Sequence, residues 1–389
     1  MHCTSLEIAG ISGNASDWMN VNRTSLRLDD LDGGLTMDPV DSEFQEVKMV
    51  KFVAYSVVFP VIIVLGVIGN VINLIVLTRP SLKGVTFVYL SWLAISDLAV
   101  LLMGSVSMLR LAGIHAKDYS TAFFFAHLEM PLVNAFMASS VFLVVAVTID
   151  RYWSVCLPTR YADIHNDRQA RVAITMSFVF AFLLYIPVAF QKYPVPFVKM
   201  TTNATINRTI NPIEFYACEW SEVSTHPAFK VYLFVKEVAV RVGPAIVVVI
   251  LNTCIIITFR RLQKKRASLL GSSAEGKRLA EEQRLVILLV AIVIMFLICM
   301  TPAAILTVII SDHYENHLPF QIFRAIANNM EMLNFASNFY VYCLCSSEIR
   351  RTFFELFGGI FARKDEQNSA DASLITSKIT KISLDATRV

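Results

Sequence analysis

The side chains able to do chemistry in this sequence stand almost singly inside long apolar runs. Asp97 is the one charge in Leu93-Ala94-Ile95-Ser96-Asp97-Leu98, and Asn70, Ser140, Asn334 and Asn338 fall at a similar depth in other apolar runs. A polar or ionisable residue inside a membrane is costly, so each is a functional candidate. Together they can form a cluster of oxygen ligands around a carboxylate. Two readings stay open: a helix–helix hydrogen-bond network with Asp97 protonated, or a site for a small cation, sodium in particular. A second group is Asp150-Arg151-Tyr152, with Arg151 eleven residues beyond Ser140, roughly 16 Å of helix. If Ser140 is mid-membrane, Arg151 lies at a boundary, where it is either a snorkelling anchor or a partner for Glu282. The third group is Lys236, Glu237 and Arg241, of which the last two share a helix face at i, i+4. Glu129 and Arg324 fall at a comparable level. Either Glu237 and Arg241 form a structural bridge and Glu129 sits in the headgroup region, or these charges face an outer cavity. In that cavity Glu129 or Glu237 would receive a cationic ligand group. No Walker loop, GxSxG elbow, HExxH or CxxC pair is present, so neither catalysis, a cofactor nor a structural metal is expected.

The elements that must position these groups follow from composition. Of 389 residues, 55% are hydrophobic and 17% charged, whereas a soluble domain carries roughly 25% charged residues. A net charge of +3 gives no reason to expect nucleic acid. A bilayer core takes roughly 20 apolar residues as a helix, and runs at about 50–78, 86–111, 122–155, 170–191, 229–259, 283–311 and 319–345 qualify. Backbone groups must be satisfied inside lipid, so the fold class is an all-α membrane bundle of seven transmembrane helices. The organisation expected is a disordered, glycosylated N-terminal segment (1–49), a transmembrane domain (50–346), a short helix (347–358) and a disordered tail (359–389).

Lys and Arg set the orientation. Arg260 to Arg284 holds eight basic residues, whereas residues 1–47 hold nine acidic and two basic ones. The N-terminus is expected outside and the tail inside, in a multi-pass protein of the plasma membrane. The sequons at Asn14, Asn22, Asn203 and Asn207 all fall on the side this rule puts outside. Cys3 and Cys218 are the two thiols on that side, where disulfides form; they are either paired or both free. Residues 192–228 are long enough for a hairpin lid. The hydroxyl-rich tail ends in Thr387-Arg388-Val389, whose free carboxylate could be captured at the sheet edge of a PDZ-type domain.

Several short motifs occur in order along these spans: Gly69-Asn70, Leu93-Ala94-x-x-Asp97, Asp150-Arg151-Tyr152 with Pro158, Pro244, Phe296 with Cys299-x-x-Pro302, and Asn338-x-x-x-Tyr342. Over residues 50–358 the chain resembles the rhodopsin-like (class A) G-protein-coupled receptors. The resemblance implies an extracellular ligand, a heterotrimeric G protein as partner, and a short amphipathic helix after span seven. Coupling and gating would involve Asp150, Arg151, Tyr152, Glu282, Asn338 and Tyr342. The tail would be phosphorylated and then bound by arrestin.

The sequence also departs from the family. Ala126 stands where a bridging Cys is usual, span four has no Trp, and Met300 replaces the span-six Trp. Phe339 replaces the Pro of Asn-Pro-x-x-Tyr, and Asn252 replaces a span-five Tyr. The kink of span seven is therefore in question. Val133 stands where amine receptors carry an Asp, and Met332 where visual pigments carry their retinal Lys. Leu251-Asn252-Thr253 and Asn338-Phe339-Tyr340-Val341-Tyr342-Cys343 resemble neuropeptide receptors of the FMRFamide-related and orphan peptide type. The ligand residues expected are Glu129, Val133, Glu237, Arg241 and Arg324. The competing classes are a transporter-like seven-helix protein and a membrane scaffold that does not signal.

Overall fold

The computed structural model describes residues 39–111 (save 81 and 83), 118–158, 161, 166–197, 200–201, 209–210, 214–267, 273–309 and 317–358. Six spans among them have the length and apolarity to cross a membrane: Gln45–Leu77, Val85–Ser107, Tyr119–Cys156, Asp167–Phe190, Pro227–Leu262 and Val286–Leu306. The seventh is divided into Leu318–Ala336 and Asn338–Cys345, and the seven form an all-α membrane bundle. Residues 347–358 are helical after it. The first helix begins at Pro39, so residues 39–49, expected to be disordered, are helical instead. Asn14, Asn22 and Cys3 lie outside the described residues, as do Asn203 and Asn207.

The surface is apolar where a soluble protein would be polar. Val61, Val64 and Ile68 on span one, Met176, Phe180 and Leu183 on span four, and Ile246 and Ile250 on span five are exposed. Lipid covers such a face without cost. The interior divides in two. Leu90, Leu93, Val144, Leu288, Ile292 and Tyr342 pack in the half nearer Arg151, and Phe59, Leu101, Val133, Met137, Phe296, Met300 and Phe335 pack in the other. Span four lacks a Trp, and its Phe178 meets Trp92 of span two edge-on, with ring centroids 5.9 Å apart.

Proline explains two local distortions. Span one contains a π-turn at Val53–Val58, with the Phe59 N–H bonded to the Ala54 carbonyl, just before Pro60. Span five contains another at Val238–Val242, with the Gly243 N–H bonded to the Val238 carbonyl, just before Pro244. A proline offers no N–H and its ring collides with the carbonyl four residues back; one wider turn relieves both. The wider turn also rotates everything beyond it.

Span seven breaks without a proline. Ser337 (φ −89°, ψ −12°) separates its two helices, so the run 319–345 is not one helix. The Ser337 hydroxyl donates to the Asn334 carbonyl at 3.3 Å, a local bond that competes with the helix ladder. Span one presses closely there: a Cβ on Gly66 would sit 2.6 Å from the Ala336 Cβ.

The expected lid is an antiparallel hairpin of β1 (Lys192–Phe197) and β4 (Glu214–Glu219), beyond which β2 (Met200–Thr201) pairs with β3 (Thr209–Ile210). It lies against the first helix of span three, Tyr119–His127, where Tyr119 meets Phe215 edge-on at 5.6 Å. The Asp118 carboxylate caps that helix from the Thr121 hydroxyl (2.6 Å) and N–H (3.0 Å), bonds that hold its carboxyl below the usual range. His127 Nδ1 lies 2.7 Å from the Ala189 carbonyl, and the Trp220 N–H donates to Gln191 at 2.8 Å. These contacts seat the hairpin although Ala126 can make no disulfide. Cys218 on β4 is disulfide-bonded, while Cys156, Cys254, Cys299, Cys343 and Cys345 are free.

Candidate functional site

Three polar assemblies lie along the bundle axis. The central one is built on Asp97, fully buried in span two. Ser140 of span three donates to Oδ1 at 2.6 Å, and Asn338 of span seven donates to Oδ2 at 2.5 Å. Each oxygen keeps a lone pair, so the carboxylate joins three spans and retains acceptor capacity. The other two expected members are placed differently. Asn70 gives its amide to the Gly66 and Phe335 carbonyls, both at 2.9 Å, tying span one to span seven. The Asn334 side chain is half-buried and is not bonded to Asp97. Around this hub the buried Asn70 Oδ1, both polar side-chain atoms of Asn73 and the Tyr342 hydroxyl have no hydrogen-bond partner among the described residues.

At the end opposite the hairpin, Arg151 pairs with its neighbour Asp150 at 3.0 Å, with both side chains mostly buried. The Tyr161 hydroxyl is hydrogen-bonded to the side chains of Arg151 and Ser154, and Tyr152 packs beside Ile255, Phe259 and Val286. The Glu282 side chain lies outside the described residues. Arg151 is held within span three by the adjacent carboxylate.

The third assembly lies toward the hairpin. Arg241 donates to Glu237 at 2.7 Å, the i, i+4 bridge that the spacing suggested. It also donates at 2.7 Å to Glu331 of span seven, a partner that the sequence reading missed. Lys236 lies 3.0 Å from the other Glu237 oxygen and 5.3 Å over the Tyr185 ring of span four. The guanidinium serves the two carboxylates at once, one from each terminal nitrogen. Glu129 is 1% exposed, enclosed by the protein at the start of the long helix of span three. Val133 is buried in the same half of the core. Arg324 lies higher on span seven and is half-buried near Tyr55. Arg241 also lines a cavity of about 580 Å³ between spans five and six, together with Phe296, Met300 and Thr301. Met300 fills less space there than the indole usual in the family.

Over residues 69–347 the chain matches the family described as 7 transmembrane receptor (rhodopsin family). It is 31% identical to probable G-protein coupled receptor AH9.1 of Caenorhabditis elegans, across 80% of this chain and 77% of that protein. It is 32% identical to probable G-protein coupled receptor B0563.6 of the same organism, across 78% and 69%. A shorter match, 30% identical across 33% of this chain and 37% of the other, is to adenosine receptor A2b of Gallus gallus. The region matched to the family takes in the Asp97 hub, Arg151 and the Arg241–Glu331 pair, and the chain belongs to the rhodopsin family of seven-transmembrane, G-protein-coupled receptors.

Proposed function

We propose that this receptor is activated by an extracellular peptide carrying a basic group, in the manner of the neuropeptide branch of the family. The ligand enters beneath the hairpin, and a heterotrimeric G protein is engaged at the end bearing Asp150, Arg151 and Tyr152. The observation that carries this reading is the linked set of two carboxylates and two cations toward the hairpin, Glu237, Glu331, Lys236 and Arg241, together with the buried Glu129 of span three. Charges inside a bundle are retained for function, and a desolvated carboxylate discriminates strongly for a guanidinium or ammonium partner. In this reading the N-terminus faces outward with glycans on its sequons, Cys3 pairs with Cys218, and the tail recruits arrestin and a PDZ-type domain. The Asp97 hub holds sodium in the resting state, with Ser140 and Asn338 beside it and Asn70 Oδ1 turned to the ion. Family membership sets the transporter-like alternative aside.

The shorter matches to adenosine receptors motivate a second reading, a nucleoside ligand. A neutral nucleoside offers no charge to exchange with these ion pairs. A screen of basic amidated peptides and nucleosides against membranes containing the receptor, read as guanine-nucleotide exchange, separates the two. Activation by peptides that is lost on replacing their Arg with citrulline supports the proposal. Activation by adenosine alone overturns it.

A further inference from the structure

The Arg241 assembly is unequal in a way that identifies one of its carboxylates. Glu237 has two cations, Arg241 at 2.7 Å and Lys236 at 3.0 Å. Glu331 has one ion-pair partner among the described residues, Arg241 at 2.7 Å. If the Arg241 guanidinium swings away, Glu237 remains paired and Glu331 becomes a lone charge with its side chain 11% exposed. A buried unpaired carboxylate is strongly unfavourable, so that movement requires another cation, or a proton on Glu331, to arrive. Arg241 also borders the cavity between spans five and six, which opens toward the bundle surface at Ile246 and Ile305. Arg241 sits within the π-turn at Val238–Val242, a single-turn feature of a kind frequent at functional sites.

We propose that Arg241 is the resident occupant of a cation site on Glu331, and that the ligand's guanidinium or ammonium takes its place. The inference rests on the reading of the chain as a receptor for a cationic ligand and names the carboxylate that does the recognising. Glu331 lies 13 residues inside the start of span seven at Leu318, about 20 Å along the helix. The ligand must therefore offer its basic group at the tip of an extended arm or at a chain end, not on a flat face. Once exchanged, span five is released from span seven next to Met300 and the cavity.

The test uses the purified full-length receptor in lipid nanodiscs, with ethylguanidinium as the probe and thermal unfolding as the readout. Arg241→Ala removes the resident cation and opens a hole of guanidinium size. Millimolar ethylguanidinium should then raise its melting temperature saturably. It should not do so in the parent protein, where the tethered Arg241 outcompetes it, nor in the double variant Arg241→Ala, Glu331→Gln. The neutral isostere N-ethylurea should have no effect. If Arg241→Ala is not recovered folded, the variant Glu237→Gln, Arg241→Ala carries one less negative charge and replaces it. Its folded yield with and without ethylguanidinium during purification then becomes the readout. A shift equal with N-ethylurea, a shift that persists without Glu331, or stability and yield indifferent to the probe would each overturn the proposal. Because no G protein is present, these outcomes leave the receptor reading untouched. Absent nucleotide exchange with an intact ethylguanidinium response would overturn the receptor reading instead.

Discussion

Placing a methyl group at Gly66 tests whether the close approach of spans one and seven positions the central hub. A Cβ there would sit 2.6 Å from the Ala336 Cβ, 2.7 Å from Leu101 Cδ1 and 2.9 Å from the Ala336 Cα. Carbon atoms in contact prefer about 3.5–4.0 Å, so the helices must part by about 1 Å. Backbone lies on one side and the Leu101 side chain on the other, so neither yields freely. Overpacking of this kind costs about 1–3 kcal/mol. The same movement would stretch the 2.9 Å bond from Asn70 to the Phe335 carbonyl beyond hydrogen-bonding range, at about 1 kcal/mol. Against this, Ala gains about 1 kcal/mol over Gly in a helix. The net loss is about 1–3 kcal/mol, a fall in melting temperature of roughly 1–4 °C for a chain of 389 residues. Three other glycines provide the scale. A Cβ on Gly69 would lie 3.1 Å from the Phe339 Cβ, one on Gly104 would lie 3.5 Å from the Met332 sulfur, and one on Gly358 would meet nothing within 4 Å. Thermal unfolding in nanodiscs should rank Gly66→Ala as the most damaging and Gly69→Ala as intermediate, with Gly104→Ala and Gly358→Ala neutral or stabilising. A Gly66→Ala protein as stable as Gly358→Ala would refute the argument.

Four further outcomes are expected. Sodium in place of potassium should raise the melting temperature of the parent protein by selective binding to the folded state, and Asp97→Asn should remove that difference; a parent indifferent to the ion sinks the sodium site. If Glu282 pairs with Arg151, Glu282→Ala should raise ligand-independent nucleotide exchange up to about fivefold, the equivalent of about 1 kcal/mol for a pair at the membrane boundary, and an unchanged basal rate at equal surface expression argues against such a lock. Peptide mapping without reduction should recover Cys3 and Cys218 in one linked fragment, whereas alkylated Cys3 would exclude the pairing. Glycosidase treatment should lower the apparent mass, and replacing Asn14, Asn22, Asn203 and Asn207 together with Gln should abolish that shift.

Much of the architecture is legible because lipid imposes a length and a composition on any helix crossing it. The pairing of Asp97 with Ser140 and Asn338 could be anticipated, since each is a polar group at one depth with few alternatives. The bridge from Glu237 to Arg241 follows from helix spacing alone. Glu331 did not emerge, although a lone carboxylate seven residues before Asn338 is itself a signal by the cost of burying charge. What hid its role is that pairing with Arg241 depends on the rotation of span five at the π-turn, a consequence of Pro244 that periodicity does not carry. Depth alone places Asn70 with the hub, but its amide donates to one carbonyl of its own helix, Gly66, and one of span seven, Phe335. The break at Ser337 arises from a serine side-chain bond and the press of span one, so loss of the family proline did not remove it. The helix over residues 39–49 is polar and weakly patterned, and its sequence alone reads as disorder.

The most direct test of the account is guanine-nucleotide exchange on purified heterotrimeric G proteins by nanodiscs bearing the parent receptor or Arg151→Ala at matched amounts, without ligand. The account predicts exchange above that of empty nanodiscs for the parent with at least one class of G protein, falling to the empty level for Arg151→Ala while its melting temperature stays within a few degrees. Equal exchange by the two proteins would contradict the coupling role of Arg151. No exchange by the parent with any G protein, alone or with the peptide and nucleoside collection, would contradict the claim that this chain signals.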